Sequence, residues 1–233
     1  MDDLFSGIED QGLEYIGASR IEGPLVVVER VRDVGYDETV EIIDPAGNPR
    51  MGRVLDVSGK HVVVQVLEGT TGLATRTLRA RFLGESFRLP VSRQMLGRVF
   101  DGLGRPADGG PPPLSADRRD VNGMPINPFA RRYPREFIQT GLSAIDGMNA
   151  LVRGQKLPVF SGNGLPHDRV SAQIIRQARL LEEQVEFSIV FAAMGIKHDV
   201  AEFFIRNFRE SGALARAVMF FSLADAPSVE RLL

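Results

Sequence analysis

Residues 157–178, LPVFSGNGLPHDRVSAQIIRQA, read as a short strand, a glycine-rich turn and a helix. That is the frame of a phosphate-binding loop. Such a loop needs glycines that let backbone N–H groups curl around phosphate oxygens, a lysine on the terminal phosphates and a hydroxyl on Mg²⁺. Laid on the G-x-x-x-x-G-K-[ST] pattern, Ser161 takes the first glycine, Pro166 the second, His167 the lysine and Asp168 the hydroxyl. Gly162, Asn163, Gly164 and Leu165 lie between them. Each replacement works against phosphate. Pro166 removes a donor and fixes φ where glycine freedom is needed. His167 is shorter than lysine and mostly neutral near neutral pH. Asp168 sets a negative charge where the anion would sit, offsetting the favourable helix N-terminus, and suits the N-cap of the helix that follows. The loop therefore reads as structural, with weak or no nucleotide binding.

Other chemistry finds little support. His61, His167 and His198 lack the i, i+4 spacing of a metal pair, and no metal site is expected. There are no cysteines, which excludes disulfides and thiolate chemistry and fits a reducing compartment. No Gly-x-Ser-x-Gly elbow occurs. A net charge of −2 supplies no basic field for nucleic acid. The acidic start MDDLFSGIED lacks the regions of a signal peptide, and no apolar run approaches the ~18 residues of a membrane span. Membrane association is expected only through partners.

Two periods divide the 233-residue chain. Up to about residue 75, PLVVVERV, ETVEIID, RVLDVSG and HVVVQVLEG are Val- and Ile-rich, with turn residues at 44–49 and 58–60. This pattern predicts a small β-barrel over 1–75. The stretch GRVFDGLGRPADGGPPPL carries enough glycine and proline to oppose a helix or a central strand, with ordered turns expected at Asp101-Gly102. Further on, KLPVFS, FSIVFAAMG and RAVMFFS read as strands. Val170, Ile174, Ala178 and Leu181 mark one helical face, and Val200, Phe203, Phe204 and Phe208 another, closed by Gly212. The alternation predicts a parallel α/β domain over 76–233. ADAPSVERLL reads as the start of a helix with Pro227 in its first turn. Ending there, the sheet is expected to be a truncated unit with exposed edges, prone to aggregation.

LGRVFDGLGRPADGGPP, EGTTGL at 68–73, FAAMGI, GALARAVMFFSLADAPSVERLL and above all NPFARRYPREFIQTGLSAIDGMNALVRGQKLPVFSGNGLP resemble rotary ATPase head subunits. The likeness is to the B-type head subunit, the non-catalytic one, of V-type and archaeal A-type ATPases or ATP synthases. The catalytic rotary subunits keep the lysine loop; this chain does not. The related catalytic F-type subunit also carries Gly-Glu-Arg after the next strand, where this chain has Gly195-Ile196-Lys197. Ile196 cannot orient water.

The resemblance implies a β-barrel followed by a truncated P-loop NTPase-like parallel α/β domain. It implies no catalytic residue and no cofactor bound by this chain alone, with ATP or ADP and Mg at an interface with a catalytic A subunit. The implied partners are that A subunit in an alternating hexameric ring and the central and peripheral stalks, at the cytoplasmic face of a membrane. An arginine that reaches the neighbour's γ-phosphate and a C-terminal helical domain lie, in the family, beyond the point matching Leu233. Arg131, Arg132, Arg153, Arg176 and Arg179 do not occupy that position, so the chain is expected to be the N-terminal half of such a protein. Two alternatives stand beside it. One is a divergent ATPase recruiting Lys156 or Lys197; Lys156 precedes its strand and so falls at the wrong end of it. The other is a truncated paralogue that binds an A subunit without rotary function.

Overall fold

The computed structural model describes residues 13–180 and 187–233. The acidic start, and Leu181 and Glu182 of the expected helix, lie outside the described residues. The chain divides into two units: 1–90 with 118–122 and 226–233, and 91–117 with 123–225.

The first unit is built on one antiparallel sheet. Its strands are β1 (Glu14–Ile16), β2 (Arg20–Glu22), β3 (Leu25–Glu29), β4 (Glu38–Ile43), β5 (Pro49–Ser58), β6 (His61–Val66) and β7 (Arg79–Ser86), in the order β1-β7-β4-β5-β6-β3-β2. The four expected strands are β3 to β6. The sheet runs past residue 75, because β7 pairs with both β4 and β1.

Its two outer strands, β1 and β2, are consecutive in the chain and separated only by Gly17, Ala18 and Ser19. Three residues span at most about 10 Å, so the sheet must curl until its edges nearly meet. The bend leaves no donor idle: Gly17 N–H donates to Leu78 O at 2.8 Å, Ala18 to Thr75 O at 2.7 Å and Ser19 to Val27 O at 2.9 Å. Gly17 sits at φ +85°, and a Cβ there would come within 3.3 Å of Thr75 O, so the corner calls for glycine. Alternate residues point inward, and Val26, Val28, Val40, Ile42, Val54, Val62, Val64, Ala80 and Phe82 form the filling. The Asp44 turn forms as its residues suggest. The Asp44 carboxylate accepts from the N–H of Ala46 and Asn48, both at 2.9 Å, and its pKa is lowered, first by the Asn48 side chain. A ribbon of β8 (Arg88–Pro90) with β10 (Arg118–Asp120) also belongs to this unit. So does a 3₁₀ turn, Ser228–Leu232, with Pro227 at its N-cap.

In the second unit three parallel strands form the sheet: β9 (Arg98–Asp101), β13 (Ile189–Ile196) and β14 (Ala217–Leu223), in the order β13-β14-β9. The strands expected at FSIVFAAMG and RAVMFFS are β13 and β14. The third is not KLPVFS, which lies outside every strand. It is β9, inside the stretch rich in glycine and proline. Being an edge strand, β9 needs partners on one side only, and its prolines lie after it. A bidentate pair fixes the turn behind it: Arg98 Nε and Nη2 donate to Asp108 at 2.9 and 2.7 Å, and Arg98 Nη1 donates to Pro111 O. A two-stranded piece joins β11 (Ile138–Gln139) to β12 (Arg179–Leu180).

Among the described residues the α-helices of this unit are α1 (Ser143–Met148), α2 (His167–Gln177) and α3 (His198–Glu210). α3 presents the expected face. Phe204 and Phe208 are buried, and their rings lie 4.7 and 5.3 Å from Phe191 of β13. Gly212, at φ +73°, follows its end. α2 departs from expectation. It stops at Gln177, because Arg179 and Leu180 leave to pair with β11. Ala172 and Ile175, rather than Val170, Ile174 and Ala178, meet the core. α2 packs against α3, and its buried Ala172 joins the cluster beneath that helix.

Candidate functional site

The loop stands where its sequence places it, immediately before α2, but not as expected in detail. Ser161 through His167 are exposed. Leu165 N–H donates to Gly162 O at 3.3 Å and His167 N–H to Leu165 O at 2.9 Å, so two amides close small turns inside the loop. Pro166, not Asp168, occupies the N-cap, at φ −82° and ψ 48°, with no side-chain cap. Asp168 is the second residue of α2. What Asp168 does meet is His167, whose Nε2 stands 3.6 Å from Asp168 Oδ1, too long for a hydrogen bond.

Between the first turns of α2 and α3 is an open groove of about 280 Å³, lined by Pro166, Asp168, Arg169, Asp199, Val200 and Phe203. It holds two carboxylates against one guanidinium. Each helix places its own acid in its positive first turn, Asp168 on α2 and Asp199 on α3. The field that would draw phosphate is already compensated by fixed negative charge. Asp199 also accepts from Val200 N–H at 3.0 Å. The charges of these residues do not fit a triphosphate with Mg²⁺.

The end of β13 agrees. Ile196 packs into the apolar cluster around α3, and its carbonyl accepts from Ala224 N–H at 2.8 Å. Lys197 stands at the N-cap of α3 without a side-chain cap. One pairing was not visible in the sequence. His198, beside Asp199 in the chain, reaches instead to Asp225, with Nε2 to Oδ2 at 3.4 Å. Asp225 is pulled below the ordinary carboxylate range first by that hydrogen bond. The two residues follow the C-terminal ends of neighbouring parallel strands, so only the β13–β14 register could reveal them. Among the described residues no group of three or more His, Cys, Asp or Glu could hold a metal ion. None of their helices is long and apolar enough to cross a membrane.

A barrel followed by a parallel sheet with a phosphate-loop frame lacking its lysine defines a class, the head subunits of rotary ATPases, and comparison with known proteins agrees. Residues 18–84 match the profile of the ATP synthase alpha/beta family, beta-barrel domain, and residues 141–233 that of the same family's nucleotide-binding domain. A V-type ATP synthase beta chain from Halothermothrix orenii is 56% identical over 220 residues, covering 94% of this chain and 48% of the relative. The B-type subunit of an A-type ATP synthase from Methanopyrus kandleri is 55% identical over 222 residues, covering 95% of this chain and 22% of that protein. The chain belongs to the ATP synthase alpha/beta family, and its similarity is to the B-type, or beta, chains of the V- and A-type enzymes. It spans about half the length of the first relative.

Proposed function

We propose that the chain serves as a non-catalytic, structural and regulatory subunit in the head of a rotary proton- or sodium-translocating ATPase or ATP synthase. In this reading it alternates with a catalytic A subunit in a hexameric ring, helps to complete that neighbour's Mg-ATP site and contacts the stalks. It reaches the cytoplasmic face of the membrane only through the complex. It hydrolyses nothing itself. The observation that carries this reading is the groove beside the loop, where Pro166, Asp168 and Asp199 stand in place of glycine, hydroxyl and free amides. The site keeps the frame and opposes the ligand.

The test is assembly and titration together. Co-expressed with the catalytic A subunit of the same genome, the full-length gene product is expected to co-purify in a ring. The chain alone is expected to show no saturable Mg-ATP binding at micromolar concentration. Micromolar binding by the chain alone, or no association with the A subunit, would overturn the proposal.

A further inference from the structure

An asparagine or aspartate followed by glycine can react with its own backbone. The glycine nitrogen, with no side chain beside it, attacks the preceding side-chain carbonyl carbon and closes a cyclic imide. The chain holds five places where this can start: Asn122-Gly123, Asn163-Gly164, Asp101-Gly102, Asp108-Gly109 and Asp146-Gly147. The two asparagines are the more reactive in kind, because an ionised carboxylate resists a nucleophile.

Four of the five are tied down. Asp101 Oδ1 accepts from Leu103 and Arg105 N–H at 2.9 and 2.8 Å. Arg98 grips Asp108 with two nitrogens. Asp146 accepts from the N–H of Thr140 and of Gly141, both at 2.9 Å. The Asn122 side chain is hydrogen-bonded to Asp120, which also accepts from the Asn122 N–H at 2.8 Å. A side chain held in this way cannot swing its carbonyl carbon over the next peptide nitrogen without breaking those bonds.

Asn163 differs. It is exposed, and among the described residues no hydrogen bond holds its carboxamide or the Gly164 N–H. Leu165 N–H donates to Gly162 O, so Asn163 and Gly164 are the central residues of a turn, with Gly164 at φ +82° as a type II turn requires. Nothing stands within 4 Å of where a Gly164 Cβ would be, so the peptide is open on that side.

We infer that Asn163 is a self-modification site, where the Gly164 nitrogen converts the asparagine to isoaspartate and aspartate through a cyclic imide. The Gly164 N–H gives its proton to hydroxide and the N–Cγ bond forms. The Cγ–Nδ2 bond breaks, and the leaving nitrogen takes a proton back from water and departs as ammonia. Water then opens the ring. Opening at Cγ leaves aspartate. Opening at the Asn163 main-chain carbonyl carbon leaves isoaspartate, with an extra carbon in the backbone. Either product sets a new negative charge in the turn that leads into α2.

The experiment follows the full-length gene product at mildly alkaline pH by peptide mass mapping, native and in denaturant. In the native protein Asn163 should convert several times faster than Asn122. Isoaspartate should be the larger product, read by methyl transfer from S-adenosylmethionine with a protein-isoaspartate methyltransferase. The rate should rise with pH, and Asn163→Gln should remove the signal. In denaturant the two asparagines should react at similar rates, since no folded contact then distinguishes them. Asn122 reacting as fast as Asn163 in the native protein overturns the inference. So does a native Asn163 that stays intact while its denatured counterpart reacts.

Discussion

The barrel and the parallel sheet solve the same problem with different means. In the barrel, one chain segment supplies both outer strands, β1 and β2, and turns the corner at Gly17, so the two edges of the sheet are drawn together. β2–β3, β4–β5 and β5–β6 join consecutive strands while β3–β6, β4–β7 and β1–β7 reach further, all within the first 90 residues, and its interior residues are almost wholly removed from water. In the second unit, parallel strands demand long crossovers. β9 and β14 pair across more than a hundred residues, and among the described residues β13 has one paired edge, with Val190 and Met194 exposed. Local antiparallel pairing can finish a core within a short stretch; parallel pairing leaves each added strand dependent on the next.

Four outcomes would break or sharpen that contrast. The largest is expected at Phe82, buried in the barrel with Tyr15 edge-on at 5.7 Å. Phe82→Ala should cost about 3–5 kcal/mol in chemical denaturation. A loss below about 1 kcal/mol would mean the barrel is not tightly packed. Next comes Gly52, where a Cβ would meet Val64 Cγ1 at 2.9 Å and Gln65 O at 3.0 Å. Gly52→Ala should cost about 1–3 kcal/mol by overpacking, and an unchanged denaturation midpoint would contradict the close strand approach.

The Arg98–Asp108 clamp should be read by pH. The guanidinium beside Asp108 holds its carboxyl well below the usual carboxylate range. Its contribution is fully present above the unfolded-state pKa, about 3.9. It is lost as pH falls through the lowered folded value. Asp108→Asn lacks this contribution. Its stability deficit should therefore be constant above pH ~5 and should shrink on acidification; a deficit that grows toward low pH would refute the assignment.

The smallest effect is expected on the open face. Val190→Ala, at an exposed position of β13, should change stability by less than about 0.5 kcal/mol. A core-sized loss would show that the face is covered by something else.

How far the sequence could be read depended on where the information was stored. β3 to β6 were legible because Val and Ile alternate between strong turn residues. α3 was legible because its phenylalanines repeat at helical spacing and Gly212 ends it. The missing lysine was legible because Pro166, His167 and Asp168 stand where the pattern has glycine, lysine and a hydroxyl. KLPVFS misled because an apolar, strand-like hexapeptide becomes a strand only where a neighbour offers hydrogen bonds. β9 was missed for the converse reason, since the β14 edge recruited a strand from a stretch whose glycines and prolines suggested none. α2 ended early because β11 took Arg179 and Leu180.

The sequence by itself determined the two-part organisation, the loss of the lysine loop and the family, because each rests on residue type and local spacing. Only the tertiary structure decided the barrel's closure at Gly17, the membership of β9 in the parallel sheet, the place of Pro166 rather than Asp168 at the helix cap, and the meeting of His198 with Asp225. Each of these depends on which distant backbone groups become neighbours, and pairing energies between distant segments leave no period in the chain that forms them.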